Sequence, residues 1–327
     1  GDVYKRQALL GLGLTRAVEG DLAAAIDRLN ALPVPRLAVD LPSGLDGDNG
    51  VCRGQSAVKA THTLALLSLK PGLFTGLGRD HAGAIWFDDL GLAALAIAQA
   101  PVAWLGSAAV ACLPRQPRQH AQHKGSFGNM IVVGGTAGMT GAALLAARAG
   151  LVAGAGRVYV SALDPDAPAL DVEWPELMFR RGLWREEGSA QDATVVCGCG
   201  GGDTVREALP SLLARAPRLV LDADALNAIA ADSALQRQLT ARSSREGQAT
   251  VLTPHPLEAA RLAGLADAAA VQRKRLAVAE QLATRFACVV ILKGSGSVIA
   301  APGQVSILNP TGNARLASAG TGDVLAG

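Results

Sequence analysis

A short apolar run, then a loop rich in Gly, Pro or Asp, then a stretch of helical periodicity recurs along this chain, and that unit commits it to a largely parallel sheet. The runs Met130–Val133, Arg157–Ser161, Thr194–Cys197, Arg218–Leu221, Ala249–Leu252 and Cys288–Leu292 read as buried strands, many of them separated by helical patterns. The loops that follow them are Gly134-Gly135, Gly198 to Gly202, Asp222-Ala223-Asp224, Thr253-Pro254-His255-Pro256 and Lys293-Gly294-Ser295-Gly296. In a parallel sheet such loops emerge at the carboxyl ends of the strands, where open α/β folds bind ligands, so five unusual loops are expected to converge on one crevice.

An earlier stretch repeats the theme. Asp21 is placed to cap a helix whose Leu22, Ile26 and Leu29 share a face, and Arg36–Leu41 follows as a strand ending in Pro-Ser-Gly. Strands at Thr63–Leu67 and Ala84–Phe87 extend that sheet. Between Gly106 and His123 periodicity fades and Pro114 and Pro117 appear, which marks a linker. With 327 residues, half of them hydrophobic, two cores are affordable at roughly 100–200 residues per domain. The expected organisation is therefore two three-layer α/β domains, 1–105 and 123–327, joined by a linker at 106–122. The chain starts at Gly1 without Met, and Gly327 follows closely on a motif that opens a helix, so both ends read as fragment edges.

Charge and composition exclude several functions. A net charge of +2 from interspersed charges leaves no continuous basic surface for nucleic acid, and 3% aromatic content offers no platform for stacking bases. No apolar stretch reaches the roughly 20 residues that span a bilayer. Five scattered cysteines (Cys52, Cys112, Cys197, Cys199, Cys288) form no disulfide framework and suit a reducing cytoplasm. Cys197 and Cys199 have C-x-C spacing without a second pair, so packing outweighs zinc. His120 and His123 lie in Gln- and Arg-rich surroundings that suit an exposed linker.

The remaining motifs admit two readings each. In Gly320-Thr321-Gly322-Asp323, backbone N–H groups at a helix start can hold an anion while Asp323 acts as base; an ordinary helix cap is the alternative. Asn309-Pro310-Thr311-Gly312-Asn313 just before it favours the first. Lys293 to Ser297 can lie along a nucleotide phosphate or ribose, or simply turn a hairpin into Ser297–Ala300, and the two are compatible. It is no Walker A loop. His255, framed by prolines with Glu258 opening the next helix, either touches substrate or caps that helix. Asp222 and Asp224 either position a metal-bound phosphate or satisfy the next helix with Asn227, the latter being slightly preferred.

With these residues in view, the second domain resembles the NAD(P)H-hydrate dehydratases of the ribokinase-like superfamily. Seven segments carry the resemblance in order over about 200 residues: His123 to Gly128, Gly138 to Ala143, Pro175 to Met178, Asp222 to Asn227, Thr253 to Pro256, Asn309 to Asn313 and Gly320 to Asp323. The resemblance implies a mostly parallel sheet flanked by helices, and substrate contacts from Ala143, Gly202, His255 and Asp323. It implies an adenine-nucleotide site at Lys293, Gly294, Ser295, Gly296, Ser297 and Gly322. It further implies that ADP, with ATP as the alternative, and Mg²⁺ serve to dehydrate the hydrates of NADH and NADPH, with Asp323 as catalytic base. A homo-oligomer in the cytoplasm is the expected setting. Other readings are a ribokinase-like kinase of a small vitamin-precursor alcohol and a nucleotide-binding module without turnover.

The first domain resembles the carboxyl-terminal half of the companion NAD(P)H-hydrate epimerase, through Ala8 to Arg16 and Val39 to Asp46 over about 90 residues. This implies a substrate contact at Asp40 and a potassium ligand at Ser43. The family's earlier Asn- and Gly-rich motif is absent and Gln7 stands where Asp is expected, so no epimerisation is expected of this stretch. In the second domain Leu257 stands for an expected Gly, Cys199 for a Pro and Ser297 for a Thr.

Overall fold

The structure, a computed structural model, describes residues 5–7, 9–92, 100–107 and 117–327. Cys112, Pro114 and Ala8 lie outside the described residues, as does the middle of the expected linker.

Two sheets organise the chain. The first holds β1 (Lys5–Gln7), β2 (Arg36–Val39), β3 (His62–Leu66) and β4 (Ala84–Asp88), in that order and all parallel. Helix α1 (Gly20–Ala31) connects the first two, burying Ile26 against Val18 and Val58 with Leu22 and Leu29 packed alongside. Its start differs from expectation: Glu19 occupies the cap position and no side chain caps the helix. Asp21 stands instead in the first turn, where its charge complements the helix dipole. Strand β2 stops two residues early, at Val39, because Asp40 turns into the left-handed region with φ 66°. Apart from α1, the described helices of this unit are short, such as α2 (Gly78–His81), so a complete third layer is not among the described residues.

Among the described residues the second sheet has ten strands, and each of the six runs read as buried strands lies in it. In chain order they are β5 (Ala103–Leu105), β6 (Asn129–Gly134), β7 (Arg157–Ala162), β8 (Met178–Phe179), β9 (Ala193–Cys197), β10 (Arg218–Leu221), β11 (Ala249–Leu252), β12 (Val289–Leu292), β13 (Ser297–Ala300) and β14 (Ser306–Asn309). Across the sheet the order is β5-β14-β13-β12-β11-β10-β9-β6-β7-β8. Among the described strands only β13 runs against its neighbours, as the second arm of the hairpin with β12. Residues 103–105, expected in the first domain, pair with β14, so the second unit begins before the expected linker.

Alternation along the central strands builds two separate cores. On β6, Ile131 and Val133 face one cluster and Met130 and Val132 the other, the period of two that a strand imposes. The first cluster is roofed by α4 (Val205–Arg215), α5 (Ala223–Ala231), α7 (Pro256–Ala263) and α9 (Arg275–Phe286). The second is covered by α3 (Thr140–Ala153), whose Ala146, Ala147 and Gly150 are small enough to seat the last helix, α10 (Thr321–Ala326). A sheet covered on both faces explains why its strands are apolar without interruption. The docking of α10 on α3 delivers Asp323 to the crevice.

Candidate functional site

The strand-end loops meet as expected, and they do so backbone to backbone. Gly135 N and Thr136 N donate to Cys199 O and Gly200 O, Asp222 N to Cys197 O, and Lys293 N to Pro254 O. At Gly198 (φ 120°) a Cβ would fall 1.9 Å from the carbonyl oxygen of Asp222, so only glycine permits this approach.

Asp222 anchors the floor. Its carboxylate is 2% exposed, and Oδ1 accepts from Lys293 Nζ at 2.6 Å and Thr253 Oγ1 at 2.6 Å. No side-chain bond caps α5 from this position, so the capping role considered for Asp222 is not the one it fills. Asp224 does serve the backbone, accepting from Gly202 N at 2.8 Å, while Asn227 Oδ1 accepts from Arg261. Beside Gly202 a cavity of about 240 Å³ opens between Asp203, Arg206 and Asn227.

Asp323 comes from the last helix. It stands in the first turn of α10, whose cap residue Gly320 has φ 88° and whose start carries no side-chain cap. The plain cap reading therefore fails. The Asp323 carboxylate, the Asp222 carboxylate and Cys199 Sγ each place an atom within 4.8 Å of the others. Burial raises the pKa of Asp323 above the ordinary carboxylate value, and Asp222 adds to the rise. The Cys199 thiol, donating to it, and Lys293 pull the other way. Cys199 is fully buried and its own pKa is driven up, so it acts as a neutral S–H donor.

His255 opens α7 as its cap residue. Nδ1 accepts from Leu257 N at 3.1 Å and Glu258 N at 3.3 Å, so the ring hydrogen belongs on Nε2, 3.1 Å from Glu258 Oε1. Glu258 Oε2 in turn accepts from His255 N at 2.8 Å, completing a capping box. Burial pushes Glu258 up to about 7, and burial with Lys293 nearby lowers His255. The helix-cap reading of His255 is realised, with its imidazole in the field of Lys293 and Asp222.

Loop 293–297 turns the β12–β13 hairpin as one reading required. Arg275, buried, donates from one terminal nitrogen to Leu292 O, Lys293 O and Gly296 O and so shapes the loop from beneath. Ser297 Oγ donates to Gly294 O. Lys293 Nζ would lie 3.4 Å from a Cβ at Gly322, which brings the loop and the last turn together. Ala143 departs from expectation: it is fully buried between α3 and the sheet, so no surface of it is open to a ligand.

Asp40 and Ser43 belong to the other sheet. Asp40 is paired with Lys70 and accepts from Leu66 N at 3.0 Å. Ser43, buried, exchanges hydrogen bonds with Leu10 N and O. Arg275 is a crevice residue that pattern reading did not name, since an arginine opening a helix is a weak signal; Thr253 and Cys199 lay in loops expected to converge, but Thr253 was given no role of its own and Cys199 only packing.

A family profile described as NAD(P)H-hydrate dehydratase matches residues 130–327, and one described as YjeF-related protein N-terminus matches 7–72. The bifunctional NAD(P)H-hydrate repair enzyme of Escherichia coli is 37% identical over 325 residues, covering 98% of this chain and 60% of the relative. The corresponding enzyme of Moorella thermoacetica is 37% identical, with 98% and 62% covered. The chain thus spans about 60% of the length of these curated relatives. Among solved structures, the ADP/ATP-dependent NAD(P)H-hydrate dehydratase of Bacillus subtilis, co-crystallised with ATP and Mg²⁺, superposes with a TM-score of 0.50 at 31% identity, over 66% of this chain and 75% of that one. A ribokinase-like superfamily protein of Enterococcus faecalis, 23% identical with a TM-score of 0.50 over 64% and 72%, shares the fold.

Proposed function

This chain belongs to the NAD(P)H-hydrate dehydratase family, and from that premise we propose that its crevice restores hydrated NADH and NADPH at the expense of ADP. The observation that carries the proposal is Asp323, held by α10 beside Asp222 and Lys293 with its pKa raised by burial.

A bare hydroxide leaves a ring carbon poorly, whereas phosphate leaves readily once its charge is held. Asp323 takes the proton of the substrate hydroxyl. The freed oxygen bonds to the terminal phosphorus of ADP as the bond from that phosphorus to the bridging oxygen breaks, and AMP departs. Phosphate is then lost from the ring carbon and a proton from its neighbour, which regenerates the double bond. Loop 293–297 and Gly322 line the nucleotide, while Gly202 and His255 line the hydrate. In this reading Lys293, bonded to Asp222 at 2.6 Å, lowers the cost of bringing phosphate charge between the two aspartates.

The donor set suits Mg²⁺ in part. Asp222 and Asp323 present hard oxygens close together, and Cys199, a neutral soft thiol, is no ligand for it. Asp222 would hold Mg²⁺ brought in on the phosphates, which would supply neutralisation of the charge that builds up during transfer, while Asp323 stays free to accept the proton. In the first unit the same reading gives Asp40 a contact to the hydrate and Ser43 a share in a potassium site, without epimerisation by this stretch. It also sets the protein in the cytoplasm as a homo-oligomer.

The test is incubation with chemically hydrated NADH and either ADP or ATP, following recovery of reduced-nicotinamide absorbance. Recovery with release of AMP and phosphate is expected with ADP. Stable phosphorylation of a pyrimidine or thiazole alcohol instead would replace this reading with that of a kinase.

A further inference from the structure

The turn between β3 and β4 of the first unit reaches across to the crevice of the second. Thr75 Oγ1 and Gly76 N both donate to one acceptor, the carbonyl oxygen of Ser295, at 3.2 Å and 3.1 Å. Four residues on, the Arg79 guanidinium donates to Gly312 O at 2.8 Å and Thr311 O at 3.3 Å. One short segment therefore grips two loops of the other unit. At Gly296 (φ 64°) a Cβ would lie 2.0 Å from the carbonyl oxygen of Phe74, so the absence of a side chain there is demanded by the first unit.

We propose that Thr75, Gly76 and Arg79 are positioning residues of the adenine-nucleotide site, so that the first unit sets the affinity of the second for ADP. This rests on the assignment of loop 293–297 to the nucleotide. A trans peptide is planar, with its carbonyl and the following N–H pointing opposite ways. Holding Ser295 O toward Thr75 and Gly76 consequently aims the Gly296 N–H away from the first unit, along the side of the hairpin where the nucleotide would lie. Arg275 fixes the carbonyls of Leu292, Lys293 and Gly296 from within the second unit. The carbonyl of Ser295 is the one left for the first unit to hold. Arg79 does the same for the Asn309–Asn313 loop, which leads along the chain to the Gly320–Asp323 turn that carries Gly322 of the same site; there Gly312 has φ 82° and the carbonyls of 311 and 312 both face the guanidinium. Preorganised loops bind more tightly because less ordering remains for the ligand to impose.

The experiment uses full-length protein and measures kcat, KM for ADP, KM for hydrated NADH and the ADP dissociation constant by calorimetry. Thr75→Val keeps the shape of a buried side chain and removes the donor; Thr75→Ser restores the donor. Arg79→Gln and Arg79→Lys form a second pair at a half-buried position, with folding checked by thermal denaturation of each variant. Thr75→Val and Arg79→Gln should each raise the ADP KM and dissociation constant about 5-fold, within the roughly 2- to 13-fold that one net hydrogen bond represents. The hydrate KM should hold, and Thr75→Ser should recover the wild-type value. Unchanged ADP affinity in both variants, or equal losses in Thr75→Val and Thr75→Ser, overturns the proposal. A wild-type protein that recovers no absorbance with ADP sinks the functional reading itself, and that failure is distinct because it precedes any variant.

Discussion

The loop after β2 and the loop after β10 each put an aspartate at the carboxyl end of a parallel strand, and each gives it a lysine: Asp40 with Lys70, Asp222 with Lys293. In the first, Asp40 is 21% exposed, its lysine also donates to Leu66 O, and the carboxylate accepts from Leu66 N, so the pair closes its own sheet. In the second, Asp222 is 2% exposed, its lysine arrives from β12, and a further carboxylate, Asp323, stands in the same charge cluster. One lysine faces two aspartates there. Burial with incomplete compensation raises the pKa of Asp323, and the same residue pair thus serves folding in one unit and a poised base in the other.

Asp323→Asn tests the poised half of this contrast most severely. The amide keeps the shape and loses the base, so the dehydration rate should fall about 10²- to 10⁴-fold, the usual worth of a positioned general base. ADP affinity, followed by calorimetry, should change little. The pH–rate profile of the wild type should fall toward acid with a limb above the ordinary carboxylate value, because protonated Asp323 cannot accept. Near-normal rates in the Asn variant would reduce Asp323 to a structural residue.

The lysines separate the two loops by stability. Lys293→Met leaves a deeply buried carboxylate without its cation and should cost about 3 kcal/mol in chemical denaturation, in the range for breaking a buried pair. Lys70→Met leaves Asp40 partly hydrated and should cost about 1 kcal/mol or less, as solvent-screened pairs do. Equal losses at the two sites would mean that burial does not distinguish them.

This contrast was only half visible in the residues. Uninterrupted apolar strands and Gly- or Pro-marked loops revealed the second sheet, because a strand buried on both faces has to be apolar throughout. Short strands escaped: Met178–Phe179 at one edge is too brief for any period, Ser306–Asn309 mixes polar ends with its apolar middle, and Ala103–Leu105 at the other edge joins a partner some 200 residues later. Asp323 and Lys293 stood out through local motifs. The part played by Asp222 did not, since an aspartate at a strand end before a helix reads locally as a cap, and only the tertiary approach of Lys293 and Thr253 shows otherwise. Cys199 likewise looked like packing, which it is, while its thiol also meets Asp323.

A gentler probe of the crevice lies in the capping box at His255. Glu258 has its pKa raised from 4.5 to about 7, chiefly by burial, so the folded chain binds a proton that the unfolded chain releases. Stability from this group is complete below pH 4.5, declines as pH rises, and is lost once pH passes about 7, at most about 3 kcal/mol in all. Comparing denaturation of wild type and Glu258→Gln from pH 5 to 8 should show the wild type losing ground steadily, with the Gln variant flat over that span. His255→Asn belongs in the same series, since asparagine keeps an N-cap acceptor at a cost of about 1 kcal/mol or less. If the imidazole only caps α7, the dehydration rate of that variant should follow its small loss of stability. A rate loss far beyond it would show that the ring also meets the hydrate, and would set the His-Pro loop with Asp323 on the poised side of the comparison.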